Sequence, residues 1–190
     1  MATQHQGPQG DRLVIGITGR IGSGKTTIGR YLESQFAFQY VRYSAVLADW
    51  LARDPERKSQ LQKVGWEVMA GGMQPELNRR LLAEIRPESN AVVDGLRHPA
   101  DYETLGKSFP GSFHLFYIDS PSQLRFARLN HAGKYENLGS FEAADSHQVE
   151  QYIEMLRANA TAVIRNERSL EDLYAAADEA VRTLRKEGQS

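Results

Sequence analysis

Four glycines fall within nine residues, from Gly16 to Gly24, in the stretch LVIGITGRIGSGKTTIGRYL. A glycine in regular structure costs about 0.5–1 kcal/mol relative to alanine, so this density indicates a special backbone conformation. Gly19 begins the pattern G-x-x-x-x-G-K-[ST], which Gly24, Lys25 and Thr26 complete. The backbone N–H groups of such a loop wrap a phosphate anion, and the helix that follows adds roughly half a positive charge.

The side chains of this loop predict a bound nucleoside triphosphate. Lys25 would reach the β- and γ-phosphates, and the Thr26 hydroxyl would hold Mg²⁺. A glycine-rich turn with a chance lysine is the alternative, but a predicted strand before the loop and a predicted helix after it favour the phosphate loop. We expect ATP to be bound by Gly19, Ile21, Gly22, Ser23, Gly24, Lys25, Thr26 and Thr27.

A second candidate lies in VVDGLRHP, residues 92–99. Asp94 ends an apolar run, where its carboxylate could hold a water of the Mg²⁺ shell. Arg97 follows three residues later, and its planar guanidinium can bind a phosphate bidentately. The alternative is a plain turn between a strand and a helix, with a surface arginine.

Two further arginines, Arg125 and Arg128, are three residues apart and therefore share one helix face. Two guanidinium groups suit the charge of a transferring phosphoryl group, whose transition state is largely dissociative. A solvated helix face paired with local acids is the alternative. The predicted catalytic set is Lys25, Asp94, Arg97, Arg125 and Arg128.

Short apolar runs alternate with helical patterns along the chain. Such alternation predicts a parallel sheet with helices on both faces, and ligands at the carboxyl ends of the strands. The predicted strands cover residues 12–18, 38–44, 90–95, 112–119 and 161–166.

Helix signals lie between these runs. Residues 45–86 are mainly helical in pattern, with a restart at Pro75, which is a preferred first-turn residue. Ser120 before a proline predicts one N-cap, and Ser169 predicts another. Residues 131–147 are small and polar, without apolar periodicity. The last helix is expected to turn inward Leu170, Leu173, Ala177, Val181 and Leu184.

The bulk composition suits one globular domain and excludes several function classes. The 190 residues include 23 Lys plus Arg and 24 Asp plus Glu, whereas proteins that depend on non-specific nucleic-acid contacts are usually basic. The absence of cysteine excludes disulfides and thiolate chemistry. No apolar run reaches the roughly 18 residues that span a membrane, and no secretory signal is visible. We therefore expect a disordered leader over residues 1–12, one domain over 13–190, and a cytoplasmic protein.

From residue 13 to 187 the chain resembles the P-loop nucleoside monophosphate kinase superfamily. GRIGSGKT resembles its phosphate loop, and DGLR resembles the strand end whose arginine holds the acceptor phosphate. The arginine pair and the polar segment resemble its lid, placed at about 131–147. The implied fold is α/β, a three-layer α/β/α P-loop NTPase with a five-stranded parallel sheet and a small lid.

Narrower resemblances exist. VVDGLRHPADYETL and FEAADSHQVE are similar to adenylate-kinase-like or dephospho-CoA-kinase-like ATPases, and to kinase-like domains of phage deoxynucleotide metabolism. VIRNERSLEDL resembles a turn near the adenine site of dephospho-CoA kinases, which implies that Asn166 binds the cofactor.

The chain departs from these families in the acceptor region, about 45–86. Dephospho-CoA kinases carry Asp-x-Asp after the second strand, where this chain reads VRYSAVLADW. Adenylate kinases carry an arginine where this chain has Asp49, and many relatives place an arginine at the position of Lys134. Besides Arg97, the polar groups available to an acceptor are Arg42, Ser44 and Arg53.

The expected function is transfer of the γ-phosphoryl group of ATP, with Mg²⁺, to a (deoxy)nucleoside monophosphate. Positioning and charge do most of the work in such a reaction, so no general base is required. Two other acceptors stay open: dephospho-CoA and a hydroxymethylated base in DNA, although the net charge does not indicate DNA. An ATP-binding switch or partner module with little turnover is the alternative of another class. The expected partner is a small-molecule phosphate acceptor. We expect no association with a membrane, and the protein is expected to be a monomer or a homodimer.

Overall fold

The computed structural model of the chain describes residues 12–52 and 71–188. Nearly all of the predicted leader, part of the predicted helical region 45–86, and Arg53 lie outside these residues.

Five parallel strands form one sheet, as the sequence predicts, in the order β2-β3-β1-β4-β5. The register places Ile17 beside Asp94 and Thr18 beside Tyr117, so β1, β3 and β4 end at the same edge of the sheet. The second strand is shorter than predicted because a helix already begins at Tyr43. The strands are β1 Val14–Thr18, β2 Gln39–Arg42, β3 Ala91–Asp94, β4 Phe113–Asp119 and β5 Ala162–Arg165.

Eight helices flank the sheet in the described part of the chain. Pro75 lies in the first turn of a helix, and Ser169 caps the last helix in a capping box with Asp172, as predicted. None of these helices is long and apolar enough to cross a membrane. The helices are α1 Lys25–Phe36, α2 Tyr43–Ala52, α3 Gln74–Glu84, α4 Pro99–Ser108, α5 Ser122–His131, α6 Leu138–Asp145, α7 Gln148–Arg157 and α8 Leu170–Glu187.

Two apolar clusters fill the space between the helices and the sheet. One joins β1 through Val14 to α2, α3, α4 and α7 on one face. The other joins β1 through Ile15 and Ile17 to α1 and α8 on the opposite face. Because β1 is buried on both faces, a strand of β-branched residues without alternation fits the centre of the sheet. The result is the three-layer α/β/α architecture that the sequence predicts.

Two local predictions are wrong. Ser120 does not cap α5, because its hydroxyl donates to the carbonyl oxygen of Asn166 instead. Leu170 is 48% exposed and does not face inward, whereas the other four predicted positions of α8 are buried. Leu170 is the first residue of its helix, one turn before the first buried residue, Leu173.

The polar segment 131–147 contains a helix, α6, which the sequence does not indicate. Phe141 anchors this helix, is 1% exposed, and packs against the rings of Phe126 and Tyr135. A single buried side chain produces no apolar periodicity, so this helix could not be predicted from the sequence pattern.

Candidate functional site

The loop between β1 and α1 has the backbone that its glycines predict. Gly19, Gly22 and Gly24 have φ values of 143°, 76° and 104°, which are conformations that other residues rarely adopt. A Cβ atom at Gly24 would collide with the side-chain amide of Asn166. The Ser23 hydroxyl is buried in this loop and makes no hydrogen bond to any described residue. It is therefore a buried donor whose hydrogen bond is not used within the loop.

Lys25 lies over this loop. Its Nζ donates to the carbonyl oxygens of Gly19 at 2.7 Å and Arg20 at 2.9 Å. Burial first, and then the nearby Arg97 guanidinium, lower the pKa of Lys25 to about 8. This pKa lies above neutral pH, so the side chain stays mainly protonated and can attract an anion.

Thr26 and Asp94 come together at the carboxyl edge of the sheet. The Thr26 hydroxyl donates to Asp94 Oδ2 at 3.0 Å, and the Tyr40 hydroxyl donates to the same oxygen at 2.5 Å. Burial and the hydrogen bond to Asp94 raise the pKa of Tyr40, so this side chain remains a donor at neutral pH. The ring of Tyr40 fits closely against Gly29, where a Cβ atom would collide with it.

Arg97 is placed beside the loop by the turn between β3 and α4. Its backbone N–H donates to the buried carboxylate of Asp101 at 3.0 Å. The backbone N–H of His98 donates to the same carboxylate, as part of the capping box of α4. The guanidinium remains 40% exposed and lies 3.5 Å from Glu150. Arg97 is therefore fixed at its backbone while its charge stays accessible.

Arg125 also reaches the loop, but most of its N–H donors are already used. It is 3% exposed and donates to the two carboxylate oxygens of Asp145 at 2.6 and 2.8 Å. It also donates to the carbonyl oxygens of Ser120 and Ile21, and it lies over the ring of Phe141. Its contacts therefore tie α6 to the phosphate loop.

Arg128 contacts a different set of groups, although it shares the helix with Arg125. Its guanidinium donates to the Ser120 hydroxyl at 2.9 Å and to both oxygens of Asn166 at 3.0 Å. Asn166 in turn donates from Nδ2 to the carbonyl oxygen of Ser23 at 2.8 Å. Asn166 thus links the end of β5 to the phosphate loop.

Comparisons with known proteins give relatives in the UPF0200 group. The chain is 29% identical over 169 residues to a UPF0200 protein of Pyrobaculum aerophilum, covering 84% of this chain and 91% of that one. It is 26% identical over 187 residues to a UPF0200 protein of Methanothermobacter thermautotrophicus, covering 93% of each chain. No protein-family model matches the chain.

Solved structures match over nearly the whole chain. TT1252 from Thermus thermophilus has a TM-score of 0.63 at 25% identity, covering 91% of this chain and 97% of that one. A gluconokinase from Sinorhizobium meliloti has a TM-score of 0.62 at 15% identity, covering 92% and 94%. A dephospho-CoA kinase from Campylobacter jejuni has a TM-score of 0.56 at 14% identity, covering 92% and 98%. This chain has the fold of the P-loop kinases.

Beside the edge strand of this P-loop kinase fold lies a pocket of about 570 Å³. Tyr40 and Arg42 line it from β2, Asp49 lines it from α2, and Arg79 and Arg80 line it from α3. Because Tyr40 also donates to Asp94, one side chain connects the pocket with the Thr26 pair.

Two predicted positions lie outside these contacts. Ser44 is exposed in the first turn of α2 and does not line the pocket. Lys134 is exposed just after α5, and its backbone N–H donates to the carbonyl oxygen of Leu129 at the end of that helix.

Sequence reasoning missed four residues of this site: Arg20, Tyr40, Asp145 and Glu150. A signal existed for Tyr40, because Gly29 interrupts the middle of α1 and a glycine there indicates close packing. The two acids lie in the polar segment and the helix after it, more than 120 residues from the loop that they contact. Nothing in the local pattern shows that they approach it.

Proposed function

We propose that this protein transfers the γ-phosphoryl group of ATP to the phosphate of a (deoxy)nucleoside monophosphate. The observation that carries the proposal is the hydrogen bond from Thr26 to Asp94 next to Lys25. A P-loop hydroxyl and an acid from a neighbouring strand end are the pair that P-loop enzymes use to hold Mg²⁺.

The residues present fit a magnesium ion. Thr26 supplies a hydroxyl oxygen, Asp94 supplies a carboxylate, and no group of three or more His, Asp or Glu in the described ranges competes as a metal site. Mg²⁺ prefers one or two protein oxygens with water and substrate phosphates as its other ligands. Held by Thr26 and Asp94, such an ion would supply positive charge that stabilises the charge developing on the transferred phosphoryl group.

The loop itself is proposed to bind the phosphates of ATP. Backbone N–H groups and the spare Ser23 hydroxyl would hold the phosphates. Lys25 would exchange its two carbonyl partners for phosphate oxygens, which carry full negative charge and bind an ammonium more strongly. Asn166 is proposed to support this loop from β5 through Ser23.

The acceptor is proposed to bind in the pocket beside β2, with its phosphate directed towards Arg97. Tyr40 supports this position, because it both lines the pocket and donates to Asp94. Arg42 lies on the pocket wall, where it could contact the base or the phosphate of a nucleotide. Arg53 and Ser44 remain sequence-based predictions for the same acceptor.

An acceptor panel tests the function. ADP formation is measured with ATP and Mg²⁺ against ribo- and deoxyribonucleoside monophosphates, dephospho-CoA, and duplex DNA with hydroxymethylated bases. We expect at least one nucleoside monophosphate to accelerate ADP formation, and omission of Mg²⁺ to abolish it. Acceleration by dephospho-CoA or the modified DNA alone would replace the proposed acceptor. ATP binding without acceleration by any acceptor would indicate a switch.

Arg97→Ala is expected to raise the KM for the acceptor about 30-fold and to leave the KM for ATP within about threefold. Truncating one partner of a charge pair costs about 2–5 kcal/mol, and Arg97 is partly exposed, so the lower end applies. Steady-state kinetics with each substrate varied in turn measure the two constants.

The control for this variant is Arg182→Ala, which removes an exposed arginine of α8 that is paired with Glu179. Both of its KM values should match those of the unaltered protein. Equal increases for ATP and acceptor in Arg97→Ala would place Arg97 outside the acceptor site.

A further inference from the structure

Glu150 places a carboxylate directly on the phosphate loop. It lies in the first turn of α7 and is 3% exposed. Its Oε2 accepts the backbone N–H of Ile21 at 3.2 Å, and its Oε1 lies 3.5 Å from Arg97 Nη1. Arg20 Nε lies 3.7 Å from Oε2. One buried carboxylate therefore contacts a loop amide and two guanidinium groups.

These partners are the donors that a phosphate requires. Ile21 is the third residue of the G-x-x-x-x-G-K-T motif, whose backbone N–H groups form an anion-binding concavity. Arg97 is the residue proposed to hold the acceptor phosphate. The Glu150 carboxylate is also close enough to Lys25 to oppose the lowering of its pKa. A phosphate and the Glu150 carboxylate cannot use the same donors at once, and their like charges repel.

The neighbouring contacts fix the end of α6 beside the same loop. Arg20 donates to the carbonyl oxygen of Asp145 at 2.5 Å and lies 3.3 Å from its carboxylate. Asp145 also pairs with Arg125. The end of α6, through Asp145, and the start of α7, through Glu150, therefore both contact residues of the phosphate loop.

We propose that Glu150 is a positioning residue that occupies a phosphate position of the loop and exchanges with the phosphate of a bound ligand. This inference rests on the proposed function, because it treats the loop as a phosphate site. Exchange releases Arg97 from Glu150, so that filling the loop makes the guanidinium available to the acceptor. Glu150 thus lowers the affinity of the loop for phosphate and couples its occupancy to the availability of Arg97.

Glu150→Gln tests the competition with inorganic pyrophosphate as the probe, titrated calorimetrically into the full chain. Glutamine keeps the size of the side chain and an oxygen acceptor for the Ile21 N–H, but it removes the charge. We expect the variant to bind pyrophosphate about tenfold more tightly or better, because like charges at one site cost several kcal/mol and 1.4 kcal/mol is a factor of ten.

Glu154→Gln is the matched control. Glu154 lies one turn further along α7, 3.8 Å from Arg20, and its side chain is 43% exposed. An exposed charge of this kind is well screened, so its pyrophosphate affinity should stay within about twofold of the unaltered protein. Equal or weaker binding by Glu150→Gln would overturn the inference. A loss of turnover with no gain in pyrophosphate affinity would also overturn it.

A second readout covers the case in which Glu150→Gln does not fold. In the unaltered protein, pyrophosphate should shift the Glu150 carboxyl ¹³C and Ile21 amide resonances with one common Kd. An unchanged Glu150 carboxyl resonance at saturation would contradict the exchange.

The outcomes separate the inference from the proposed function. Tighter binding by Glu150→Gln with no acceptor-dependent ADP formation would uphold the exchange and reject the kinase. Acceptor-dependent turnover with equal pyrophosphate affinities would uphold the kinase and reject the exchange. Undetectable pyrophosphate binding in both proteins would reject the inference.

Discussion

Lys25→Met is expected to lower kcat for acceptor-dependent ADP formation by about 1000-fold. Preorganised donors aimed at developing charge are each worth about 100–1000-fold, and a cation on the transferring phosphoryl group lies at the upper end. Methionine retains much of the length of the side chain and removes the ammonium that bonds Gly19 and Arg20. Single-turnover measurement of ADP formation separates this effect from ATP binding.

The fold of Lys25→Met should remain intact, because the folded protein already disfavours the charge. The pKa of Lys25 falls to about 8 from 10.5, so the protonated form opposes folding below pH 8. This cost disappears as the pH rises towards 10.5. The variant should therefore gain more stability relative to the unaltered protein at pH 7 than at pH 10.

Lys107→Met is the control for both measurements. Lys107 is an 80% exposed lysine of α4 that pairs with Glu103. Its kcat and its stability should be unchanged. A Lys25→Met variant that retains more than about a tenth of the turnover would remove Lys25 from the reacting centre, since a preorganised donor contributes at least about 100-fold.

Arg125→Ala is expected to destabilise the protein by about 3 kcal/mol, because removal of one partner from a buried ion pair leaves the other charge uncompensated. Arg125 is 3% exposed and Asp145 is only 15% exposed at its side chain. The substitution also leaves the carbonyl oxygens of Ser120 and Ile21 without this donor. Urea unfolding at fixed pH measures the loss.

Two further variants distinguish a structural Arg125 from a catalytic one. Arg157→Ala removes a 43% exposed arginine paired with Asp119, and should cost at most about 1 kcal/mol. The double variant of Arg125→Ala and Asp145→Ala should lose less than the sum of the single variants, because the two side chains are coupled. An Arg125→Ala variant with unchanged stability and lost turnover would favour the role that the sequence predicts.

Much of this architecture could be predicted because local chemistry determines it. β-branched runs without alternation predict buried parallel strands, and the carboxyl ends of such strands meet at one edge. That edge is where Thr26 and Asp94 come together. The conformation of the loop could be predicted from its glycines, because only glycine adopts their φ values easily.

The partners of charged side chains could not be predicted in the same way. The spacing of Arg125 and Arg128 shows that they share a helix, but not that Asp145 and Asn166 bind them. Packing of distant elements decides such pairs. Ser120 illustrates the same limit, because a distant carbonyl group competes with the helix end for its hydroxyl.

The bond from Asn166 to Ser23 joins residues 143 positions apart in the sequence. A ribosome that adds about 5–20 residues per second needs roughly 7–30 s to make the intervening chain. During synthesis, the phosphate loop therefore emerges early but acquires this support only when β5 has followed it. A nascent chain that has not reached β5 would carry the complete glycine motif with the carbonyl group of Ser23 unsupported. Full support of the phosphate loop is thus a property that the chain acquires late in its synthesis.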